Sequence, residues 1–392
     1  MTDDIFSSGL EDLSARGLLR AATAFDGGSA RAVTVSGRTL LLFCSNDYFG
    51  LSHDPRIVAA VKEGLDVYGF GSGGSRLVSG TRTPHARLEK AVAAFLGAEA
   101  ALLFGSGFSA NSGVIPAIAG KGDLILADKL NHASLVDGCR LSRADFARYP
   151  HRDMASLENL LKKGQSARAR WIITDGLFSM DGDMAPLDAI CALAKKYDAR
   201  VYVDDAHAFG VLGKTGRGTP ELFGAEHDID LLMGTLGKAA GGMGAFAAGK
   251  KSSVDWLLNK ARSFIFSTAM PAAVAAGNLK AVEILENFQA ERNIFVQITE
   301  EFHRRLKTAG FAISSKSYII PLIIGDAGDA VAAAKLLEDE GIFLQAIRPP
   351  AVQEGTSRLR LTLSLAHTDQ DRETVIRALI KHVGVGHRGT GQ

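Results

Sequence analysis

The segment "VYVDDAHAFG", residues 201–210, runs three β-branched or aromatic residues into two aspartates and a histidine. It is too short for a helix and shows no polar alternation. It therefore reads as a strand buried on both faces, which is how strands of a helix-covered parallel sheet look. The same texture recurs outward from it: "ALLFG" at 101–105, "DLILAD" at 123–128, "RWIITD" at 170–175 and "IDLLMG" at 229–234. Longer stretches of helical period separate these runs. The alternation predicts an α/β fold with a mainly parallel central sheet flanked by helices. Several runs end in Asp or Gly followed by polar residues, and ligands of open α/β sheets bind at that carboxyl edge.

After "STAMPAA" at 267–273 the pattern changes. Helices over 271–289 and 291–309 lead to strands near 317–324, 342–347 and 357–364, with helices near 328–340 and 369–384. Thr368 and Asp371 form a capping-box pattern for the last helix. This part reads as a smaller α+β domain. The expected division is an N-terminal segment 1–44 carrying a helix-like "GLEDLSARGLLR", a large domain 45–275 and a small domain 276–392.

At 392 residues, 46% hydrophobic and 22% charged, the chain can bury a sizeable core. A formal charge of +1, with Lys and Arg spread along the chain, points to neither nucleic acid nor a membrane surface. The acidic start "MTDDIFSSGLEDLSARG" is not a secretory leader, and no apolar run is long enough to span a bilayer. Cys44, Cys139 and Cys191 lie far apart, without disulfide or metal-site spacing. The expectation is a cytoplasmic protein without a metal.

Next along the sheet, "GTLGKAAGGMG" at 234–244 sets Lys238 among glycines. A phosphate-clamping P-loop requires Ser or Thr after the lysine, where Ala239 stands, and a glycine where Leu232 stands. "GFGSGG" at 69–74 matches a dinucleotide-binding pattern in letters but follows no apolar strand. The remaining readings are a solvated loop lysine and a Schiff-base lysine, and the latter demands companions. Asp204 could keep a pyridine nitrogen protonated, and Thr235 and Lys238 follow the next strand. "FGSGFSANSG" at 104–113 reads as strand, tight turn and helix start, whose N–H groups at Ser106, Gly107 and Phe108 suit a phosphate. "DKLNHASLVDG" puts His132 at another strand-to-helix turn, where an imidazole can stack on a flat ring. Singly, Asp204 reads as a helix cap and His132 or His207 as a core histidine. Their order and shared place after strands favour covalent cofactor chemistry.

"SNDYFGL", "GSGGSRLVSGT", "SGFSAN", "NHASL", "FSMDGDMAPL", "VDDAHAFGVLGKTGRG", "TLGK" and "RPPAVQEGTSRLRLTLS" together resemble the α-oxoamine synthases, over about Ser45 to Thr368. These are pyridoxal-phosphate enzymes of fold type I. The resemblance implies that Lys238 carries the cofactor and acts as base. It pairs Asp204 with the pyridine nitrogen, sets His207 and Ser179 on the ring oxygen and stacks His132 on the ring. Gly107, Phe108 and Thr235 would hold the phosphate, and His132 and His207 would assist the developing charges. Arg360 would bind the amino-acid carboxylate, as a planar guanidinium suits. Arg20 would match a substrate-binding arginine near the N-terminus.

"GSGGSRLVSGT", "FSMDGDMAPL" and "IRPPAVQEGTSRLRLTLSLAHT" prefer the members that join L-alanine to a pimeloyl thioester, on coenzyme A or acyl carrier protein, with loss of CO2, in biotin biosynthesis. The resemblance also implies a homodimer. Three departures stand near the expected acyl or amino-acid pocket: Ala240 and Met243 in the lysine loop, Ala208-Phe209, and Ala351 where a substrate-contacting Thr is usual. They leave open a sister ligase joining glycine to a shorter acyl group. An aminotransferase or lyase would use no thioester. A cofactor-binding regulator would need an added helix-turn-helix DNA-binding region, and no basic stretch of that sort precedes Ser45.

Overall fold

The computed structural model describes residues 4–384. They divide into two compact units, one of Leu51–Ser179 with Met184–Arg292, the other of the described residues up to Gly50, Met180–Asp183 and the described residues from Asn293 onward. The limits therefore fall at Gly50 and Arg292 rather than at 44 and 275. The helix Ala272–Glu286, expected to open the small domain, packs on Pro55–Tyr68 and Thr83–Leu96 in the larger unit. Small residues permit that approach: a Cβ on Gly64 would sit 2.8 Å from Ala273 Cα, and one on Gly277 2.5 Å from Val61 Cγ2.

The larger unit holds a seven-stranded sheet in the order Ala100–Phe104, Ala245–Gly249, Leu231–Thr235, Arg200–Asp204, Arg170–Asp175, Leu124–Asp128, Asp145–Tyr149. Only Ala245–Gly249 runs antiparallel to its neighbours, so the sheet is mainly parallel as expected. The five apolar runs all form strands. Two further strands escaped the pattern: Asp145–Tyr149 is a half-exposed edge, and Ala245–Gly249 is built from small residues of poor β-propensity.

The pleat sends successive side chains to opposite faces. Trp171, Ile173 and Tyr202 join the core beneath the helix Gly107–Ile118, whereas Ile172, Val201 and Val203 join the core beneath Leu187–Lys196. This alternation decides the site. Tyr202 and Asp204, two residues apart, face the Gly107–Ile118 helix, and Asp205 turns to the other side.

In the smaller unit, Gly27–Gly28, Ala32–Val35, Arg38–Leu42 and Ile342–Phe343 form one sheet. Ile319–Gly325, Ser357–Thr362 and Ala346–Ile347 form another. The helices Ala327–Asp339 and Asp369–His382 stand where the periodicity put them, and the Thr368–Asp371 capping box closes in both directions. The N-terminal helix is shorter and earlier than expected, Ile5–Ala15, because its C-cap falls at Arg16, just before Gly17 at φ +64°. Among the described residues no helix is long and apolar enough to cross a membrane.

Candidate active site

The site is built where strands of the larger unit end. Asp204 closes its strand almost fully buried. Its Oδ1 accepts the Ala206 N–H at 3.0 Å and its Oδ2 accepts Asn111 Nδ2 at 2.7 Å. One strand over, in register with Asp204, lies Asp175, whose Oδ2 accepts the His132 N–H at 2.7 Å. Burial, and then the neighbouring Asp204, raise the Asp175 proton affinity well above the usual carboxyl range, against the pull of the His132 N–H and Lys238.

His132 caps the helix Ala133–Ser142, its Nδ1 2.7 Å from Ser134 Oγ. Its outer side is open to solvent, and its Nδ1 edge is set into protein. That partial burial lowers its pKa, as does the Lys238 charge, while Asp204 opposes the shift. His207, buried, sits in the turn that follows Asp204. Ser179 is half-buried, two residues beyond Leu177 in the turn after the Arg170–Asp175 strand.

Lys238 stands on the loop after Leu231–Thr235, half-buried, and its charge reaches both His132 and Asp175. The loop closes on itself: Gly241 N–H donates to Lys238 O, Gly242 N–H to Leu236 O and Leu236 N–H to Gly244 O, all within 2.9 Å. Gly241, at φ +67°, could carry no side chain, since a Cβ would lie 2.2 Å from Ser52 N. Gly244, at φ +102°, meets Met270 in the same way. The glycines are thus what lets this loop fold tightly under the lysine. Thr235 Oγ1 donates to Gly244 O at 2.8 Å.

The expected phosphate cradle is a helix start, as read, with one correction. Ser106 is the N-cap, and its N–H donates to Ser109 Oγ at 3.0 Å while Ser106 Oγ accepts from Ser109 N–H. The capping box therefore uses the Ser106 N–H internally. Among the described residues, nothing accepts from the N–H groups of Gly107 and Phe108, the first two of this 12-residue helix. Two free donors at a helix N-terminus suit a phosphate. With a buried acceptor at Asp204, a flat-ring partner at His132 and an amine at Lys238, this donor set fits pyridoxal phosphate.

Arg20, Ala351 and Arg360 belong to the smaller unit. Arg360 is buried and donates to Asn46 Oδ1 and Thr362 Oγ1 at 3.2 Å. Its strand neighbour Arg358 is committed to Asp181 at 2.7 Å and to Met180 O. Arg20 Nη2 donates to Pro349 O at 2.5 Å, which brings it to the segment that carries Ala351. Of the three departures, one is relocated. Phe209 is a core residue edge-on to Phe95 and Phe246, at 5.3 and 4.8 Å, rather than part of a substrate pocket. Met243 is exposed and Ala240 buried.

Four residues of the cluster were not anticipated: Asn111, Ser134, Asp175 and Tyr202. Asp175 carried a signal, since it ends a strand as Asp204 does. Asn111 and Ser134 lie inside recognised stretches, but only their meeting in space gives them meaning.

The Aminotransferase class I and II family model matches residues 38–379. The 8-amino-7-oxononanoate synthase of Geobacter metallireducens is 48% identical over 384 residues, covering 97% of this chain and 98% of that protein. A structure of serine palmitoyltransferase from S. paucimobilis, with bound pyridoxal phosphate and myriocin, superposes with a TM-score of 0.93 at 31% identity, covering 98% of each chain. One of 8-amino-7-oxononanoate synthase from Francisella tularensis gives 0.76 at 29%, covering 88% of this chain and 98% of that one. The matched span takes in the helix cradle, Asp204 and the lysine loop alike, and the chain belongs to the class I and II aminotransferase family, in the fold type I architecture of pyridoxal-phosphate enzymes.

Proposed function

We propose that the chain joins L-alanine to a pimeloyl thioester, on coenzyme A or acyl carrier protein, giving 8-amino-7-oxononanoate, CO2 and the free thiol. The observation that carries this reading is the 48% identity, over nearly the full length, to a synthase of that name, set on a cluster that fits the required cofactor. The sister reaction, glycine with a shorter acyl group, lacks such support.

Pyridoxal phosphate, when bound, supplies an electron sink that stabilises negative charge at the amino-acid Cα. Lys238 would anchor it and Asp204 would face its ring nitrogen. Gly107 and Phe108 N–H groups, with Thr235, would hold the phosphate, and His207 and Ser179 the ring oxygen. Lys238 Nζ takes the Cα proton of alanine and returns it at the end. Burial by nearby protein, and Lys238 against the opposing pull of Asp204, lower the His132 pKa, which favours a ring that lies flat without adding charge. Arg360 would hold the alanine carboxylate before that group departs as CO2, leaving its electron pair at Cα. The new bond joins Cα to the thioester carbonyl carbon, and the C–S bond breaks to release a thiolate, which takes a proton from water to become the free thiol.

Two copies would complete the enzyme. Val67, Phe70, Val78 and Phe266 of the larger unit are exposed apolar residues that a second copy could cover. A single-chain mass in light scattering would refute the dimer. The three cysteines are thiols, in keeping with a reducing cytoplasm. The test of the activity is thiol release by the purified, cofactor-loaded protein. L-alanine with pimeloyl-CoA or the pimeloyl carrier protein should turn over, and glycine with acetyl-CoA should not. The opposite pattern would overturn the reading.

A further inference from the structure

The buried side chains behind Asp204 form a chain of hydrogen bonds with a fixed direction. Asn111, Tyr202 and Ser134 are all almost fully buried. Asn111 Nδ2 donates to Asp204 Oδ2 at 2.7 Å and to Ser134 Oγ at 2.9 Å, and Tyr202 O–H donates to Asn111 Oδ1 at 2.6 Å. The amide cannot be turned round, because its carbonyl would then face a carboxylate oxygen. Tyr202 cannot become an acceptor-only phenolate here, since burial and Asp204 raise its pKa. Both amide hydrogens are therefore used, and the carbonyl is satisfied.

Ser134 continues the sequence. Its Oγ accepts from Asn111, and its own hydrogen has one acceptor among the described residues, His132 Nδ1 at 2.7 Å. The Ser134 backbone N–H points at the same nitrogen at 3.3 Å. An Nδ1 facing two donors carries no hydrogen, so the imidazole proton sits on Nε2. Asp175 holds the backbone of that same residue through the His132 N–H.

We propose that Asn111 is a positioning residue that couples the two ring partners of the site. Through one amide hydrogen it orients the Asp204 carboxylate, and through the other, by way of Ser134, it sets His132 as the Nε2–H tautomer. The proposal rests on the cofactor site put forward above, and deepens it. One amide thereby aligns the group that faces the ring nitrogen with the group that faces the ring plane. Tyr202 keeps that amide from rotating.

The test compares Asn111→Ala with Ser134→Ala. Asn111→Ala breaks both arms and should weaken pyridoxal phosphate binding roughly ten- to a hundredfold, the weight of a hydrogen bond to a charged group in a buried site. Ser134→Ala leaves the Asp204 arm intact. It should change affinity by less than about threefold, yet leave Nδ1 only the backbone N–H of residue 134 at 3.3 Å and so loosen the His132 tautomer. The tautomer is read in 15N-histidine-labelled protein, with the resonance assigned by its loss in His132→Gln. Wild type should show an unprotonated Nδ1 and a protonated Nε2, and both alanine variants a mixed or reversed pattern. An Nδ1–H in wild type, or unchanged cofactor affinity in Asn111→Ala, would overturn the proposal. Wild-type protein that binds no pyridoxal phosphate would instead sink the site reading, while the nitrogen signals would still decide the relay. If Asn111→Ala does not fold, Tyr202→Phe replaces it: loss of the hydroxyl that locks the amide should weaken cofactor binding, and unchanged affinity would count against the relay.

Discussion

Replacing Asp205 by asparagine should flatten the pH dependence of stability of the larger unit. The carboxyl is fully buried; its Oδ1 accepts Thr219 Oγ1–H at 2.5 Å and its Oδ2 accepts Thr219 N–H at 2.9 Å. There is no room to escape this arrangement, since a Cβ on Gly218 would lie 1.6 Å from Oδ2. Burial raises its pKa from 3.8 to about 7, outweighing the Thr219 hydrogen bonds, with Asp204 adding to the rise. Below about pH 4 the group is protonated in folded and unfolded chains alike and its burial exacts no ionisation penalty. Between about pH 4 and 7 only the unfolded chain ionises, so stability falls as pH rises, and above about 7 the loss is complete. At about 1.4 kcal/mol per tenfold change in proton affinity, the loss reaches up to roughly 4 kcal/mol. Asparagine can donate to Thr219 Oγ1 and accept from Thr219 N–H without ever ionising. Both tryptophans, Trp171 and Trp256, lie in this unit, so urea unfolding followed by fluorescence reports on it. The variant should match wild type at about pH 4 and below, exceed it increasingly up to about pH 7, and keep that margin at pH 8. Parallel curves for the two proteins would refute the reasoning, because Asp175 and every other group are common to both.

Two further outcomes follow from packing and from charge. Gly234→Ala should destabilise the larger unit by about 1–3 kcal/mol, because the added Cβ would lie 2.3 Å from the ring of Phe246 in the core, as thermal unfolding would show. Arg360→Lys should raise KM for the amino acid about tenfold or more by removing two-pronged recognition, with cofactor affinity unchanged. An unaltered KM would remove Arg360 from the substrate site.

Much of the larger unit could be read locally. A strand buried on both faces has to be a short unbroken apolar run, so five of seven strands declared themselves. The two that did not owe their place to neighbours: Ala245–Gly249 is held between two strands that supply the pairing its alanines do not favour. The smaller unit was harder. Its strands Arg38–Leu42 and Ile342–Phe343 pair across some 300 positions of sequence, which no local window registers.

The candidate site residues follow the same division. Lys238, Asp204, His132 and the Gly107–Phe108 turn were legible because each follows a strand in a distinctive local pattern, and chemistry demanded that set together. The role of Ser106 was misjudged because a capping box consumes an N–H that the pattern counts as available. Phe209 was misplaced because a residue beside a site motif can still point into the core. Sequence order and residue type were enough for fold class and for the kind of cofactor. Which carboxylate is oriented, which has its proton affinity raised by burial, and which imidazole nitrogen faces hydrogen-bond donors were decided only by folding. Those properties depend on distances of about 3 Å between side chains that the chain order keeps far apart, as Asn111 is from Tyr202 and Asp204.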